Sequence, residues 1–266
     1  MLPDALFWNV HMYGIMIAVG ILACFLVLYL YSKRLGVPTG LVDFCFYDGV
    51  FSILVGFGAA ALVQATLNYI KNPERGFEIG SGITVVPGLI GGAGFFLIVY
   101  FLLRKRLKLH LLRILPVIPC CITVAHAFGR IGCFFAGCCY GRETDSIFGV
   151  QFKTVSGTRL PTQLFEAVFL FLLFAALTLL VLRWKCPYTM SIYLVAYGIF
   201  RFIIEFFRGD DRGQIFSGAL SPSQVGSILY LLLGVGWFFL HRYLLARYPA
   251  PEQEAPTEPE TPADRT

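Results

Sequence analysis

The stretch "QLFEAVFLFLLFAALTLLVL" at residues 163–182, followed at once by "RWK" at 183–185, decides the fold. It holds one acid near its start and then only apolar or small residues, over about the 20 positions a helix needs to cross a hydrocarbon core. Backbone groups in lipid must be satisfied within the segment, so an unbroken run of this length reads as a membrane helix. A barrel strand would alternate every second residue instead. By the positive-inside rule, Arg183 and Lys185 behind the run mark a cytoplasmic end.

Six more blocks of the same kind lie at about 12–31, 43–69, 84–103, 111–128, 189–207 and 223–241. Of the 266 residues, 57% are hydrophobic and only 14% charged, where an ordinary globular domain is about a quarter charged. The mean hydropathy is +0.73. The expectation is an all-α integral membrane protein with about seven transmembrane helices. The first residues lack a basic leader and an Ala-x-Ala site, so no cleaved signal is expected.

Basic residues follow alternate blocks: Lys33 and Arg34, then Arg104 to Arg106 with Lys108, then Arg183 and Lys185, then Arg242 and Arg247. This pattern puts the N-terminus outside and the C-terminus in the cytoplasm. The formal net charge of +5 therefore reports topology, and no nucleic-acid partner is expected. Residues 1–248 read as one polytopic membrane domain. Residues 249–266, rich in Pro, Glu and Thr, read as a disordered cytoplasmic tail.

The unusual polar residues gather at the other, extracytoplasmic end. It receives His11 and Tyr13, the turn from Lys71 to Gly82, the loop 129–162 and the segment 208–222. Arg201 lies inside the sixth block, with Glu205 four residues on and Arg208 three after that, so all three are expected on roughly one helical face. An Arg or Asp at a helix centre costs about 2.5 to 3.5 kcal/mol on insertion scales, and such groups face the bundle interior or a wet cavity. An Arg201–Glu205 pair satisfying itself is the plain reading. Arg208 leaves one positive charge in excess, which suits an anion.

Arg130 follows Gly129 at the outer end of the fourth block, and Gly132, Gly137 and Gly141 recur after it. A guanidinium beside a glycine-rich turn can grip a phosphate bidentately; an interfacial arginine reaching lipid headgroups is the alternative. In "RLPTQLFEA" (159–167), Thr162 is an expected N-cap after Pro161, while Gln163 and Glu166 add polar groups at the same face. His11 and Tyr13 form either an interfacial aromatic belt or the mouth of a pocket. Cys133, Cys138 and Cys139 leave metal binding with His126, a disulfide and simple packing all open. Cys24, Cys45, Cys120, Cys121 and Cys186 read as small buried hydrophobes.

"YGIM" (13–16), "GRIGCFFAGCCYGR" (129–142), "LPTQLFEA" (160–167) and "YGIFRFIIEFFR" (197–208), in this order, resemble the prolipoprotein diacylglyceryl transferase family over roughly residues 10 to 240. The resemblance implies a seven-helix enzyme of the bacterial cytoplasmic (inner) membrane with the orientation given above. It implies transfer of the diacylglyceryl group of phosphatidylglycerol to the lipobox cysteine thiol of an exported prolipoprotein, with release of glycerol phosphate. Arg130 and Arg201 match arginines that family needs, Glu205 would orient Arg201, and Tyr13 would line the headgroup site. The attacking thiol would belong to the substrate.

The candidate catalytic residues are thus Arg130, Arg201, Glu205 and Tyr13. The candidate substrate-binding residues are Arg130, Gly132, Cys133, Gly137, Arg142, Gln163, Glu166 and Arg208. Neither a cofactor nor a metal enters this reading; the partners are phosphatidylglycerol, an exported prolipoprotein and the lipid bilayer. The sequence departs from the family pattern at Val86-Pro87-Gly88, at Ala59-Ala60-Ala61 with Gln64, and at Cys133, Ala136 and Cys138. A divergent paralogue that uses another acceptor, and a non-catalytic lipid-binding or transport protein, therefore stay open.

Overall fold

The structure is a computed structural model that describes residues 11–79, 84–209 and 220–247. Among the described residues, seven α-helices correspond to the seven apolar blocks: α1 (Met12–Arg34), α2 (Thr39–Lys71), α3 (Val85–Leu103), α4 (Ile118–Ala136), α5 (Thr162–Leu182), α6 (Thr189–Glu205) and α7 (Pro222–Arg247). Six of them are long and apolar enough to cross a membrane. The other, α6, has 17 residues, at the lower end of the spanning range of about 17 to 25, and it carries Arg201 and Glu205. The chain is an all-α multi-pass membrane protein.

One helix sits elsewhere than its apolar block suggests. The expected span 111–128 becomes a single 3₁₀ turn at Leu111–Arg113 followed by α4 at Ile118–Ala136. Pro119 stands in the first turn of α4, the place where a missing N–H costs nothing. A helix running through it from 111 would have lost a hydrogen bond and met the proline ring. At its other end α4 continues through Gly129 and Gly132, so Arg130 is a helical residue and not part of a turn. Gly132 serves packing: a β-carbon there would meet Cδ2 of Tyr13 at 3.1 Å and Cβ of Met16 at 3.2 Å. The true stop is Gly137, in the left-handed conformation at φ +68, a common helix terminus.

Helix α4 lies against α1 and α5, while α6 lies against α7. Their shared core includes Val27, Leu28, Val124, Ala127, Leu170 and Leu177. Helices α2 and α3 pair chiefly with each other and do so through small residues. A β-carbon on Gly56 would meet the Gly88 carbonyl oxygen at 2.8 Å, and one on Gly91 would meet Cβ of Ala59 at 2.8 Å. Lipid tails give helices no hydrophobic reason to associate, so close backbone approach supplies the contact. Ala59, Ala60 and Gly88, at two of the departures noted above, sit in this seam.

The connection from α4 to α5 adds a short antiparallel hairpin, β1 (Val150–Gln151) with β2 (Thr158–Arg159). It is tied to the end of α6 by backbone bonds from Arg142 N–H to the Phe207 carbonyl at 2.9 Å and from Gly209 N–H to the Tyr140 carbonyl at 3.3 Å. The beginnings of α1, α5 and α7 and the ends of α4 and α6 thus belong to the end that holds this loop. Lys33 and Arg34 lie in the last turn of α1, at the opposite end. Residues 80–83, most of the 208–222 segment and the tail at 249–266 lie outside the described residues.

Candidate functional site

Helical periodicity builds two polar stripes that face each other. On α4, His126 and Arg130 stand one turn apart; on α6, Tyr197, Arg201 and Glu205 stand at successive turns. Between them, one turn into α5, Glu166 is 1% exposed. Its Oε1 lies 3.0 Å from Nη2 of Arg130 and accepts the Tyr197 hydroxyl at 2.8 Å. The His126 ring packs edge-on against Tyr197 at 4.9 Å between centroids. Its Nε2 accepts from Nε of Arg130 at 3.4 Å, which requires the neutral tautomer with the proton on Nδ1.

A second ion pair repeats the pattern on α6. Nη2 of Arg201 is 2.8 Å from Oε2 of Glu205 and donates to the Ser223 hydroxyl at 2.9 Å. The Ser221 hydroxyl donates to Oε1 of Glu205 at 2.9 Å, so the start of α7 holds both members of the pair. Arg208 adds a third guanidinium, with Nε 3.8 Å from Oε2 of Glu205. It stands beyond the helix and not on its face, because α6 ends at Glu205 and Arg208 bridges to the backbone of Gly141.

Among the described residues, the cluster's three arginines and two glutamates leave one positive charge in excess. Arg130 is not a guanidinium at a glycine turn but a helical residue locked to Glu166. Its side chain is 17% exposed. Two acids shared among three arginines leave donors over. Among the described residues, Nη1 of Arg201, Oε2 of Glu166 and Oε1 of Gln163 are buried without a hydrogen-bond partner. Such orphans are costly in a folded protein and are the groups a bound ligand would satisfy.

The remaining candidates frame this cluster. Tyr13, in the first turn of α1, is 39% exposed and packs against Gly132. Gln163 donates from Nε2 to the Cys138 carbonyl at 2.5 Å. Thr162 is the first residue of α5 rather than its N-cap, and no side chain caps that helix. Its hydroxyl donates instead to the Cys139 carbonyl at 2.9 Å, so it fixes the loop. Arg142 is drawn away from the cluster: Nη2 donates to the Phe206 carbonyl at 2.6 Å, and its guanidinium lies over the Phe207 ring. Gly137, whose carbonyl accepts from the Thr154 hydroxyl at 2.5 Å, shapes the turn and offers no polar side chain.

Of the three thiols here, Cys139 is held well below the usual thiol range. Hydrogen bonds from Cys133 and Cys138 do most of this, and the Arg208 guanidinium adds to them against the opposing effect of burial. Sequence reasoning missed Tyr197, Ser221 and Ser223 as members of the site. Tyr197 had a signal, since it precedes Arg201 by one turn; the serines had none.

The family model for prolipoprotein diacylglyceryl transferase matches residues 4–240. A protein of Clostridium tetani named phosphatidylglycerol-prolipoprotein diacylglyceryl transferase is 34% identical over 241 residues, covering 88% of this chain and 94% of its own length. A Clostridium perfringens protein of the same name with the number 2 is 33% identical over 242 residues, covering 85% and 89%. One from Francisella tularensis subsp. mediasiatica is 32% identical over 239 residues, covering 85% and 87%. The chain belongs to the prolipoprotein diacylglyceryl transferase family.

Proposed function

We propose that this protein moves the diacylglyceryl group of phosphatidylglycerol onto the lipobox cysteine thiol of an exported prolipoprotein. The reaction takes place at the extracytoplasmic side of the bacterial cytoplasmic membrane, with the N-terminus outside and the C-terminus inside. In the transfer the substrate sulfur bonds to the glyceryl carbon, the bond from that carbon to phosphate oxygen breaks, and glycerol phosphate leaves with the electron pair. The thiol loses its proton. Residues 1–248 form the catalytic membrane domain, and 249–266 a cytoplasmic tail.

The observation that carries this reading is the buried cluster in which, among the described residues, arginines outnumber acids and Nη1 of Arg201 has no hydrogen-bond partner. A headgroup phosphate supplies both the missing acceptor and the balancing charge. Arg130 and Arg201 are the phosphate clamp, held by Glu166 and by Glu205 with Ser223. Donors fixed in advance stabilise the charge that grows on the departing phosphate without rearranging, and this is commonly the largest contribution to catalysis. Tyr13 lines the headgroup site; Arg208, Gln163, Gly132, Cys133 and Gly137 complete its wall, and Arg142 holds that wall to α6. Both substrates are lipid-embedded, so they enter laterally between helices, and alignment of thiol, carbon and phosphate does much of the remaining work.

The test is direct. Detergent-purified protein is mixed with phosphatidylglycerol and a lipobox peptide, and mass spectrometry is used to find the diacylglyceryl thioether and released glycerol phosphate. Both products are expected, and both are expected to vanish in Arg130→Ala. Glycerol phosphate without the thioether would assign a different acceptor. Neither product, with a relative active in parallel, would sink the enzyme reading in favour of lipid binding or transport.

A further inference from the structure

Adjacent cysteines in extended backbone point to opposite sides and rarely meet at one ion. Here the turn after α4 changes that. Gly137 ends the helix at φ +68 and Cys139 adopts φ +64, a left-handed conformation uncommon for any residue with a β-carbon. The chain therefore doubles back beneath the last turn of α4. Cys138 N–H bonds to the Cys133 carbonyl at 3.2 Å, and the Cys138 thiol approaches the same carbonyl at 3.6 Å. The start of α5 clamps this conformation through Thr162 on the Cys139 carbonyl and Gln163 on the Cys138 carbonyl.

The outcome is that the sulfur atoms of Cys133, Cys138 and Cys139 all lie within 4.8 Å of one another. None of the three is in a disulfide. A metal–sulfur bond of about 2.3 Å places thiolates that share one ion about 4 Å apart, so only a small closing movement separates this arrangement from a coordination shell. Thiolates are soft donors and select zinc, copper(I) and similar ions over magnesium or calcium. Three of them around a divalent ion carry one net negative charge, which the Arg208 guanidinium beside Cys139 offsets.

We propose that Cys133, Cys138 and Cys139 form a three-thiolate site for one thiophilic cation of the zinc class. Three protein donors leave the fourth position of a tetrahedral ion open, as in catalytic rather than structural zinc sites. Cys133 stands one turn from Arg130, and Cys139 meets Arg208, so the ion is placed against the phosphate clamp. If the transfer reaction proposed above holds, an ion held by these three thiolates would supply Lewis acidity that favours the acceptor thiolate: the thiol proton would pass to water, the sulfur would bond to the glyceryl carbon, and the carbon–oxygen bond to phosphate would break with glycerol phosphate leaving with the electron pair.

The experiment uses the full chain in detergent, reduced and freed of metal, titrated with cadmium as a spectroscopic stand-in and with zinc against a competing chelator. The expected result is an ultraviolet thiolate-to-cadmium band saturating at one ion per chain. The band should be lost in the Cys133→Ser/Cys138→Ser/Cys139→Ser variant, with zinc affinity at least about tenfold weaker in Cys138→Ser alone. Cys138 is exposed, so that single variant should fold even if the triple one does not. An unchanged titration in Cys138→Ser, or no saturable binding by reduced wild-type protein, would overturn the site. Thiol counting that finds a disulfide, with no ion bound after reduction, would replace it with a redox pair. Transfer at an unchanged rate after metal removal would overturn the role of the ion while leaving the transfer reaction standing.

Discussion

Two buried acids in this protein live in opposite surroundings. Glu166 on α5 is 1% exposed and receives Arg130 at 3.0 Å and the Tyr197 hydroxyl at 2.8 Å. Asp48 on α2 is 5% exposed, and neither carboxyl oxygen has a hydrogen-bond partner among the described residues. It borders an apolar groove lined by Phe44, Tyr47, Phe51 and Phe95. The contrast extends to the helices that carry them. Between α4, α5 and α6, polar side chains hold one another at fixed distances; between α2 and α3, glycine and alanine bring backbones close. A buried acid matters to function here through what it holds in place, not through being buried.

The largest expected effect of breaking this contrast comes from Glu166→Gln. Removing one member of a buried ion pair costs about 3 to 5 kcal/mol, and Arg130 loses its anchor. The variant should melt at markedly lower temperature in detergent and lose transfer. The double variant Arg130→Met/Glu166→Gln should recover much of the stability but none of the activity. Recovery of activity as well would mean that the pair is structural only.

Arg201→Ala comes next, with a loss of about a hundred- to a thousandfold in turnover expected from removing one preorganised donor. Membrane insertion should remain near wild type, measured as folded yield after extraction. A variant that turns over normally would remove Arg201 from the clamp.

A smaller effect, on stability, is expected from Gly56→Val in the α2–α3 seam. The added β-carbon would meet the Gly88 carbonyl at 2.8 Å, and overpacking of this kind costs about 1 to 3 kcal/mol. The melting temperature should fall while turnover per folded molecule stays within about threefold, since this seam positions none of the clamp. Smallest of all in its effect on turnover, Asp48→Asn should leave product formation unaltered while raising the melting temperature, because a buried carboxylate without a hydrogen-bond partner is costly. A large loss of transfer in Asp48→Asn would join the two regions and end the contrast.

Much of the fold was legible because its signals are local. An apolar run long enough for the bilayer is a property of consecutive residues, and the seven runs correspond to α1 through α7. The one displaced span, at the fourth block, shows the limit of that signal. Residues 111–117 are mostly apolar but include Arg113 and Pro116; the helix begins at Ile118 with Pro119 in its first turn and continues past Arg130 with Gly132 packed against α1. The Arg201–Glu205 pair was equally legible, since a spacing of four residues on a helix brings side chains together whatever surrounds them.

The amino-acid sequence by itself determined the membrane helices, the asymmetry of charge between their ends, the Arg201–Glu205 pair and the family. Only the tertiary structure decided that Arg130 belongs to Glu166, that Tyr197 and His126 close around that pair, and that the hydroxyl of Thr162 fixes Cys139 instead of capping its own helix. Only it brought three thiols to one point. The physical reason is that hydrophobic length and helical periodicity act within a segment, whereas a pairing between helices depends on how each is rotated about its axis. That rotation is set by close packing at places such as Gly20, Gly132 and Gly198, where a β-carbon would come within 3.0 to 3.2 Å of a neighbouring helix.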